Sequence, residues 1–363
     1  MSARAGLPTA PSIKDKLVQN IFQRSASRPP SPFPAGLPFR DAAVGVDAEP
    51  AASYRQAMDR NVTDTLEHLA FRAARAGLAG LPYGAAELCL RGLARVAADG
   101  FRLRRDVTDR QLAEVYGDLD DRERRRLRRG VYDHLGRMAA EVFLADPQSL
   151  ADAVRLEPGF DPLDRALAGG RGAIVVTAHF GNFELAGRIL AARYPLLDVV
   201  KPQRNPAVER ELTALRRRHG IATVPMEHAG RAVLAHLRRG GLVSLLIDQD
   251  AGASGVSVPF LGRPASTWPG AARIALRTGC PVVPVAIVRD GEGHVFHIGE
   301  ALAPPADPKA DEAVAAYMAA MTRSLERWIR TCPDQWFWVH RRWKGAALAQ
   351  ASTPLRMTTG ISI

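Results

Sequence analysis

The sequence lacks the features that mark several common classes of protein. Only three cysteines occur among 363 residues, and their scattered positions, 89, 280 and 332, give neither a disulfide framework nor a zinc site. No uninterrupted run of about 18 apolar residues is present, so no membrane-spanning helix is predicted. Zinc-finger spacing, an RNA-binding aromatic signature and a P-loop are also missing, and nucleic acid is therefore not an expected partner.

Positive charge is abundant instead. The formal net charge is +11, and arginine supplies most of it. Such a surface favours acidic partners, among them anionic lipid headgroups, an acidic carrier protein and nucleic acid. The densest charged run, Asp120 to Gly130, also fits a solvated helix face. This run therefore does not indicate which of these partners binds.

Four sections are predicted along the chain. Residues 1–60 form a Pro- and Ser-rich extension that is expected to be loosely ordered. Residues 61–157 carry leucine and alanine at three- and four-residue spacing, which predicts a section of several helices. Residues 158–346 form the α/β core, and residues 347–363 form a C-terminal tail.

The fold class follows from the pattern of the core. After Pro158, β-branched runs such as GAIVVTAH and GLVSLLID alternate with helical stretches such as NPAVERELTALRRRHG. Asn205 and Gly220 are suited to begin and end that last helix. The alternation predicts an α/β fold with a mainly parallel or mixed central sheet flanked by helices, preceded by the helical N-terminal section.

Two predicted strands end in ionisable residues. IVVTAH ends at His179, and LVSLLID ends at Asp248 with Asp250 two residues later. Because ligands bind beyond the carboxyl ends of the strands in open α/β sheets, these side chains are expected to face one crevice. Glu184 lies about one turn into the helix that follows His179.

Three explanations compete for the segment VVTAHFGNFELAG: a capped turn without chemistry, a metal site and an acid–base pair. A metal site would need more ligands, and the odd separation of His294 and His297 puts them on opposite faces of a strand. A purely structural turn leaves Glu184 and the acidic end of the second strand unexplained. An acid–base pair accounts for both, because a carboxylate fixes the tautomer of an imidazole and raises its basicity.

At this point the residues resemble a known family. HFGNFE looks like the H-x4-[DE] motif of the glycerolipid-type acyltransferases. With these residues between the histidine and the glutamate, it resembles the late acyltransferases of lipid A biosynthesis. Further blocks follow the family's order over about Arg171 to Lys344: KPQRNP, LRRRHG, DQDAGASGVSVPFLGRPASTWPGAARIALRTGCPVVPV and PDQWFWVHRRWK.

The resemblance implies an O-acyltransferase. Such an enzyme moves a fatty acyl chain from acyl carrier protein, or from acyl-CoA, to a hydroxyl of a lipid A precursor or related glycolipid, without a metal or organic cofactor. His179 would be the general base, and Glu184 would orient it and stabilise the imidazolium. Backbone N–H groups near Gly181 and Asn182, at a helix N-terminus, are candidate donors to the oxyanion.

Supporting or substrate-binding roles are implied for further residues. Asp248 matches the family's functional aspartate, and Arg217 is the best match for its arginine, with the two neighbouring arginines as alternatives. The full set of these positions is Asn182, Arg216, Arg217, Arg218, Asp248 and Asp250.

The expected place of action is the cytoplasmic face of a bacterial inner membrane, with peripheral or monotopic attachment through basic and amphipathic surfaces. Expected partners are acyl carrier protein, a glycolipid acceptor and an anionic membrane surface. Three alternatives stay open: a hydrolase of lipid or thioester bonds that uses the same His-Glu pair, an acyltransferase for another glycolipid or a lysophospholipid, and a non-catalytic protein that binds anionic lipid or nucleic acid.

The block DQWFWVHRRWK interleaves tryptophans with cationic side chains, from Trp336 to Lys344. Aromatic rings beside cations suit a bilayer interface or an anionic headgroup. Equally, the tryptophans could pack in the core while the cations face solvent.

Overall fold

The computed structural model describes residues 51–310 and 312–344. Most of the predicted N-terminal extension and the whole predicted tail, residues 347–363, lie outside these residues. Helix α1, Ala51–Ala79, begins within the segment 1–60 that was predicted to be loosely ordered. The helical section therefore starts earlier than its sequence pattern indicated.

The N-terminal section is helical up to Phe143, as predicted. After α1 it contains α2 (Tyr83–Asp99), α3 (Arg105–Val115) and α4 (Asp121–Phe143). Helices α2 and α4 pack closely at Gly136, where a Cβ atom would lie only 2.6 Å from the backbone of Arg91.

The remainder alternates strands with helices. The helices of this part are α5 (Pro147–Asp152), α6 (Asp161–Leu167), α7 (Phe183–Arg193), α8 (Pro206–Arg218), α9 (Ala229–Arg238), α10 (Gly270–Thr278) and α11 (Ala313–Thr331). The strands are β1 (Val154–Glu157), β2 (Ala173–Thr177), β3 (Leu196–Val200), β4 (Ile221–Pro225), β5 (Leu242–Leu246), β6 (Val256–Phe260), β7 (Arg263–Thr267), β8 (Val282–Asp290) and β9 (Gly293–Ile298).

A seven-stranded sheet forms the centre, in the order β1-β9-β8-β2-β5-β3-β4. Strands β8, β2, β5, β3 and β4 run parallel to one another, whereas β9 is antiparallel to β8 and β1 is parallel to β9. The predicted α/β fold with a mainly parallel, mixed sheet is thus confirmed. Strand β1 comes from the end of the section predicted to be helical, and it completes the edge of the sheet.

Strands β6 and β7 form a separate antiparallel hairpin. Their sequences, VSVPF and RPAST, carry no continuous apolar run, and the sequence analysis did not identify them. Ser266 and Thr267 are the last residues of β7, and helix α10 begins after them at Gly270.

Two apolar layers cover the sheet, one on each face. Every residue of β2 is buried, and its side chains alternate between the layers because successive residues of a strand point to opposite faces. Ile174 and Val176 belong to the layer that also contains Trp336 and Trp338, while Val175 belongs to the layer that contains residues of α7. None of the described helices is long and apolar enough to span a bilayer.

Candidate active site

The site lies where the two central strands β2 and β5 end side by side. Their parallel pairing continues past both strands, because the N–H of Ile247 donates a hydrogen bond to the carbonyl oxygen of Thr177 at 3.0 Å. Two residues beyond Thr177 comes His179, and directly after Ile247 comes Asp248. The apolar strands thus bring residues 69 positions apart into contact.

Asp248 holds His179 through two hydrogen bonds. The Nδ1 atom of the imidazole lies 2.8 Å from Oδ1 of the carboxylate, and the backbone N–H of His179 donates to Oδ2 at 2.9 Å. The indole N–H of Trp336 donates to the same Oδ2 at 2.8 Å. The Asp248 side chain is 2% exposed and the His179 side chain 22%, so the carboxylate is sealed while the ring still reaches solvent.

The electrostatics favour the ionised form of Asp248. Burial acts to raise the pKa of Asp248, but the neighbouring His179 and the hydrogen bonds from His179 and Trp336 outweigh burial and lower the pKa. An ionised Asp248 accepts the Nδ1–H of His179, which leaves the lone pair of Nε2 directed away from it. The ring is flanked by Phe183 and Phe337, with centroids 5.1 and 5.9 Å away.

The turn after His179 has little freedom. Gly181 has φ +57°, and a Cβ atom there would lie 1.7 Å from the carbonyl oxygen of Ile287, so only glycine fits. The next residue, Asn182, caps α7 by accepting the N–H of Leu185 at 3.0 Å. The other end of its amide donates to the Glu141 carboxylate at 2.8 Å. Asn182 therefore positions the turn.

Two buried side chains of helix α4, Glu141 and His134, contact this turn. Glu141 is 4% exposed and lies 2.7 Å from Arg289 and 3.3 Å from His294. Burial raises the pKa of Glu141, yet the His294 and Arg289 side chains outweigh it and lower the pKa to about 2. Burial lowers the pKa of His134 to about 4, and its Nε2 lies 3.3 Å from the carbonyl oxygen of Gly181. The N-terminal helices are therefore part of the framework of the site.

Residues of the block DQWFWVHRRWK contact the backbone on both sides of Phe180. Phe180 and Trp336 form an antiparallel bridge, flanked by hydrogen bonds of 3.0 Å from Phe337 N–H to the His179 carbonyl and from Gly181 N–H to the Gln335 carbonyl. The N–H of Gly181, predicted as a candidate oxyanion donor, is therefore already used.

The three tryptophans of that block are core residues, with exposures of 1% for Trp336, 0% for Trp338 and 7% for Trp343. Arg342 is equally buried, although both interpretations of the block placed its cations outside the core. Its guanidinium donates to the backbone carbonyls of Gln249 and Ser266 and to the hydroxyl of Thr267. This arginine, in the block DQWFWVHRRWK, therefore joins that block to the segment after β5 and to the β6–β7 hairpin.

Glu184 does not occupy the position predicted for it. The sequence analysis expected Glu184 to orient His179, but Asp248 contacts the Nδ1 atom, and the Glu184 carboxylate instead receives two hydrogen bonds from Arg216, one of 3.2 Å from Nε. Asp198 lies beside this pair, and burial and the charge of Glu184 raise its pKa to about 7, against the opposing charge of Arg216. Glu184 and Arg216 therefore form a separate ion pair between α7 and α8.

The other predicted site residues lie further out. Arg217 and Arg218 are exposed in the last turn of α8, which leads into β4. Because β4 is parallel to the other central strands, its start lies at the edge opposite His179. Asp250 lies close to the site: its N–H donates to Nε2 of His340 at 3.0 Å, and its carboxylate accepts the N–H of Gly252 at 3.2 Å.

Several residues that build the site around His179 and Asp248 were not predicted from the sequence. Trp336 and Phe337 were treated as core or membrane residues, and Glu141 was a helix residue with no assigned role. Gln249 lies between the two noted aspartates in DQD, and its amide Nε2 lies 3.3 Å from Nε2 of His179. Among residues 51–310 and 312–344, no three or more His, Cys, Asp or Glu side chains form a group that could hold a metal ion.

Comparisons with known proteins identify a family. The family model described as bacterial lipid A biosynthesis acyltransferase matches residues 60–345. The lipid A biosynthesis palmitoleoyltransferase of Escherichia coli (strain K12) is 29% identical over 196 residues, which are 53% of this chain and 63% of that protein. The phosphatidylinositol mannoside acyltransferase of Mycobacterium tuberculosis (strain CDC 1551 / Oshkosh) is 28% identical over 194 residues, 52% of this chain and 60% of that protein.

A longer match is to the lipid A biosynthesis lauroyltransferase of Escherichia coli (strain K12), which is 27% identical over 260 residues, 70% of this chain and 83% of that protein. For the palmitoleoyltransferase and the mannoside acyltransferase, the chain spans less than two thirds of the relative's length.

Proposed function

The chain belongs to the bacterial lipid A biosynthesis acyltransferase family, and from this premise we propose that it is an O-acyltransferase. It moves a fatty acyl chain from a thioester donor to a hydroxyl of a lipid A precursor or a related glycolipid. The observation that carries the proposal is a partly exposed imidazole whose Nδ1 is held by a buried carboxylate at 2.8 Å. Family membership supplies the reaction class, and this pair supplies the base that the reaction needs.

The proposed mechanism uses His179 as general base and Asp248 as its positioning residue. Nε2 of His179 takes the proton of the acceptor hydroxyl while the hydroxyl oxygen attacks the carbonyl carbon of the thioester. The tetrahedral intermediate collapses, the C–S bond breaks, and the departing thiolate takes the proton from the imidazolium. Asp248 keeps Nδ1–H in place and stabilises the positive charge that forms on the ring. No metal or redox cofactor takes part in this sequence of steps.

Acyl carrier protein is the proposed donor, with acyl-CoA as the other thioester to be tested. The support is electrostatic, because a chain with a net charge of +11 attracts an acidic partner. A relative named as a phosphatidylinositol mannoside acyltransferase keeps acceptors other than lipid A precursors within the proposal. The acceptor class is therefore taken as hydroxyl-bearing glycolipids.

The proposed place of action is the surface of an anionic bilayer, at the cytoplasmic face of the inner membrane. The support is an apolar face on α2 and the segment after it, which we call the α2 face. Its side chains are between 53% and 82% exposed: Leu88, Leu93, Val96, Phe101 and Leu103. The exposed Arg102 and Arg104 alternate with the last two of these, a pattern suited to a bilayer with negative headgroups.

Binding to vesicles tests this surface directly. We expect the wild-type protein to sediment with vesicles that contain phosphatidylglycerol, and the Leu93→Glu/Phe101→Glu variant to lose most of this binding. Gln148→Glu adds one negative charge on α5 and serves as the control. Equal binding of the double variant and the wild type would contradict the assignment of the α2 face.

Acyl transfer by the purified protein tests the reaction itself. Labelled acyl carrier protein and acyl-CoA are offered with lipid A precursors and other glycolipids, and the products are analysed with and without acceptor. We expect transfer to one acceptor class and its loss in His179→Ala, whereas the control His228→Ala, at an exposed histidine, keeps the wild-type rate. Free fatty acid as the only product would favour a hydrolase, and binding without turnover would contradict an enzyme.

A further inference from the structure

The lone pair that the proposed mechanism needs is already engaged by a second side chain. The amide Nε2 of Gln249 lies 3.3 Å from Nε2 of His179. Since Nδ1–H is committed to Asp248, the neutral ring has only Nε2 as an acceptor, and the amide N–H is the matching donor. In this state Gln249 covers the atom that must take a proton from the acceptor.

The backbone around Gln249 is fixed, while its side chain is half-buried. The buried guanidinium of Arg342 donates to the Gln249 carbonyl at 3.3 Å, and the next residue, Asp250, donates its N–H to His340. On the other side, Asp248 is held by His179 and Trp336. The Gln249 side chain has three rotatable bonds, so it can move away from Nε2 of His179 without disturbing the His179–Asp248 pair.

A hydroxyl acceptor and the Gln249 amide need the same position. A general base must lie within hydrogen-bond reach of the proton that it removes, so the entering hydroxyl has to displace the amide N–H. A glycolipid gains binding energy from parts of the molecule remote from the hydroxyl, and that energy can drive the displacement. Water has no such remote contacts, and it merely exchanges one neutral hydrogen bond for another.

We propose that Gln249 is a displaceable cap on His179 that protects the thioester against hydrolysis until an acceptor is bound. The cap is a positioning and specificity-determining residue: it decides whether a glycolipid hydroxyl or water reaches Nε2. The chemistry of each outcome is balanced in the same way. The oxygen of the hydroxyl or of water bonds to the carbonyl carbon of the thioester while its proton moves to Nε2. The C–S bond then breaks, and the departing thiolate takes that proton from the imidazolium. This inference rests on the proposed acyltransferase function.

The ratio of hydrolysis to transfer tests the cap. Free fatty acid and acylated glycolipid are measured for the wild type, Gln249→Ala, Gln249→Met and the control Gln148→Ala. We expect the ratio to rise about 3–10-fold in both Gln249 variants, the range that corresponds to the loss of one neutral hydrogen bond, and to stay unchanged in the control. The added hydrolysis must disappear in His179→Ala/Gln249→Ala. A wild-type ratio in Gln249→Met, which fills the space without a donor, would overturn the proposal.

A spectroscopic measurement separates the cap from the acyltransferase function. In protein labelled with 15N-histidine, the Nε2 signal of neutral His179 reports whether the lone pair accepts a hydrogen bond, and it needs no substrate. We expect this signal to move in Gln249→Met and to stay in place in Gln148→Ala. A signal unchanged in Gln249→Met would overturn the cap even if transfer is observed. Absence of transfer in the wild type, with the signal moved, would instead count against the proposed function.

Discussion

Two acid–base pairs lie close together in this protein, and the motif H-x4-E contributes one residue to each. His179 pairs with Asp248, and Glu184 pairs with Arg216. Both carboxylates accept hydrogen bonds from a basic side chain, but only the imidazole can give up and regain a proton near neutral pH, whereas a guanidinium stays charged. We therefore propose that the basic partner, rather than the motif, decides which carboxylate takes part in the chemistry.

The two pairs also differ in their surroundings. Asp248 is 2% exposed and accepts hydrogen bonds from three donors: the ring and backbone of His179 and the indole of Trp336. Glu184 and Arg216 are 14% and 16% exposed and lie beside Asp198, a carboxylic acid with a raised pKa and with one oxygen that has no hydrogen-bond partner. The carboxylate of the first pair has its hydrogen bonds satisfied and leaves Nε2 of the ring for the proposed proton transfer, while the second pair joins α7 and α8 at some electrostatic cost.

The largest expected effect comes from Asp248→Asn. The amide keeps the shape of the side chain but can donate to Nδ1, which favours the tautomer of His179 whose Nε2 is protonated. We expect kcat for acyl transfer to fall by about 10³–10⁴-fold, as for other histidines that lose an orienting carboxylate. Steady-state kinetics at pH 7.5, with circular dichroism as a check of folding, measure the effect. A loss of less than about tenfold in a folded variant would remove Asp248 from the mechanism.

Breaking the second pair is expected to change stability. Glu184→Gln leaves Arg216 with a weaker partner, and we expect the free energy of unfolding to fall by about 1–3 kcal/mol. Replacing both charges, in Glu184→Leu/Arg216→Met, is expected to recover most of this loss, because no buried charge is then left without a partner. Urea denaturation of the wild type, Glu184→Leu, Arg216→Met and Glu184→Leu/Arg216→Met gives the coupling energy. Strict additivity of the two single changes would contradict the pairing.

Asp198 provides a pH-dependent test of the same cluster. Its pKa in the folded protein is about 7, above the ordinary value of 3.8, so between these values the folded state binds a proton that the unfolded state has released. Stability should therefore fall as pH rises through this window. Asp198→Asn removes that dependence, and we expect its Tm to exceed that of the wild type by a few degrees at pH 8. Below pH 4 this advantage should disappear. Thermal melts of the wild type and of Asp198→Asn across this pH range measure the difference in Tm. A difference that stays constant at every pH would contradict the raised pKa of Asp198.

The sequence predicted the central strands because their apolar runs are long and continuous. It predicted the edge of the sheet that holds the candidate site because His179 and Asp248 follow directly on the apolar runs of β2 and β5. Strands β1, β6 and β7 were missed because VRLE, VSVPF and RPAST are short and contain proline, serine or charge. Strand β1 pairs with the distant strand β9, and β6 and β7 pair with each other outside the central sheet. The antiparallel β8–β9 connection is what makes the sheet mixed.

The partner of His179 was mistaken for a physical reason. Glu184 is near in sequence, and the resemblance to a family motif favoured it, whereas the contact with Asp248 depends on β5 pairing with β2. Glu141 reaches the site from helix α4, Gln249 from the segment after β5, and Trp336 from the block DQWFWVHRRWK. No periodicity within any one of these segments predicts that they meet.

The smallest expected effects belong to Arg217→Ala and Arg218→Ala. Both side chains are exposed in the last turn of α8, at the edge of the sheet opposite His179. We expect a change of at most about 0.5 kcal/mol in stability and no change in kcat. A rise in KM for the glycolipid alone, measured against Arg210→Ala on the same helix, would show that one of these arginines binds the headgroup and would extend the site along α8.

The most direct test compares the chemistry of the two pairs in folded protein. Single-turnover acyl transfer is measured for Asp248→Asn and for Glu184→Leu/Arg216→Met, each at saturating donor and acceptor. We expect the double variant to keep a rate within about tenfold of the wild type, while Asp248→Asn loses about 10³-fold or more. The opposite order, with the double variant folded but inactive and Asp248→Asn active, would show that Glu184 serves the chemistry and would contradict the assignment of Asp248.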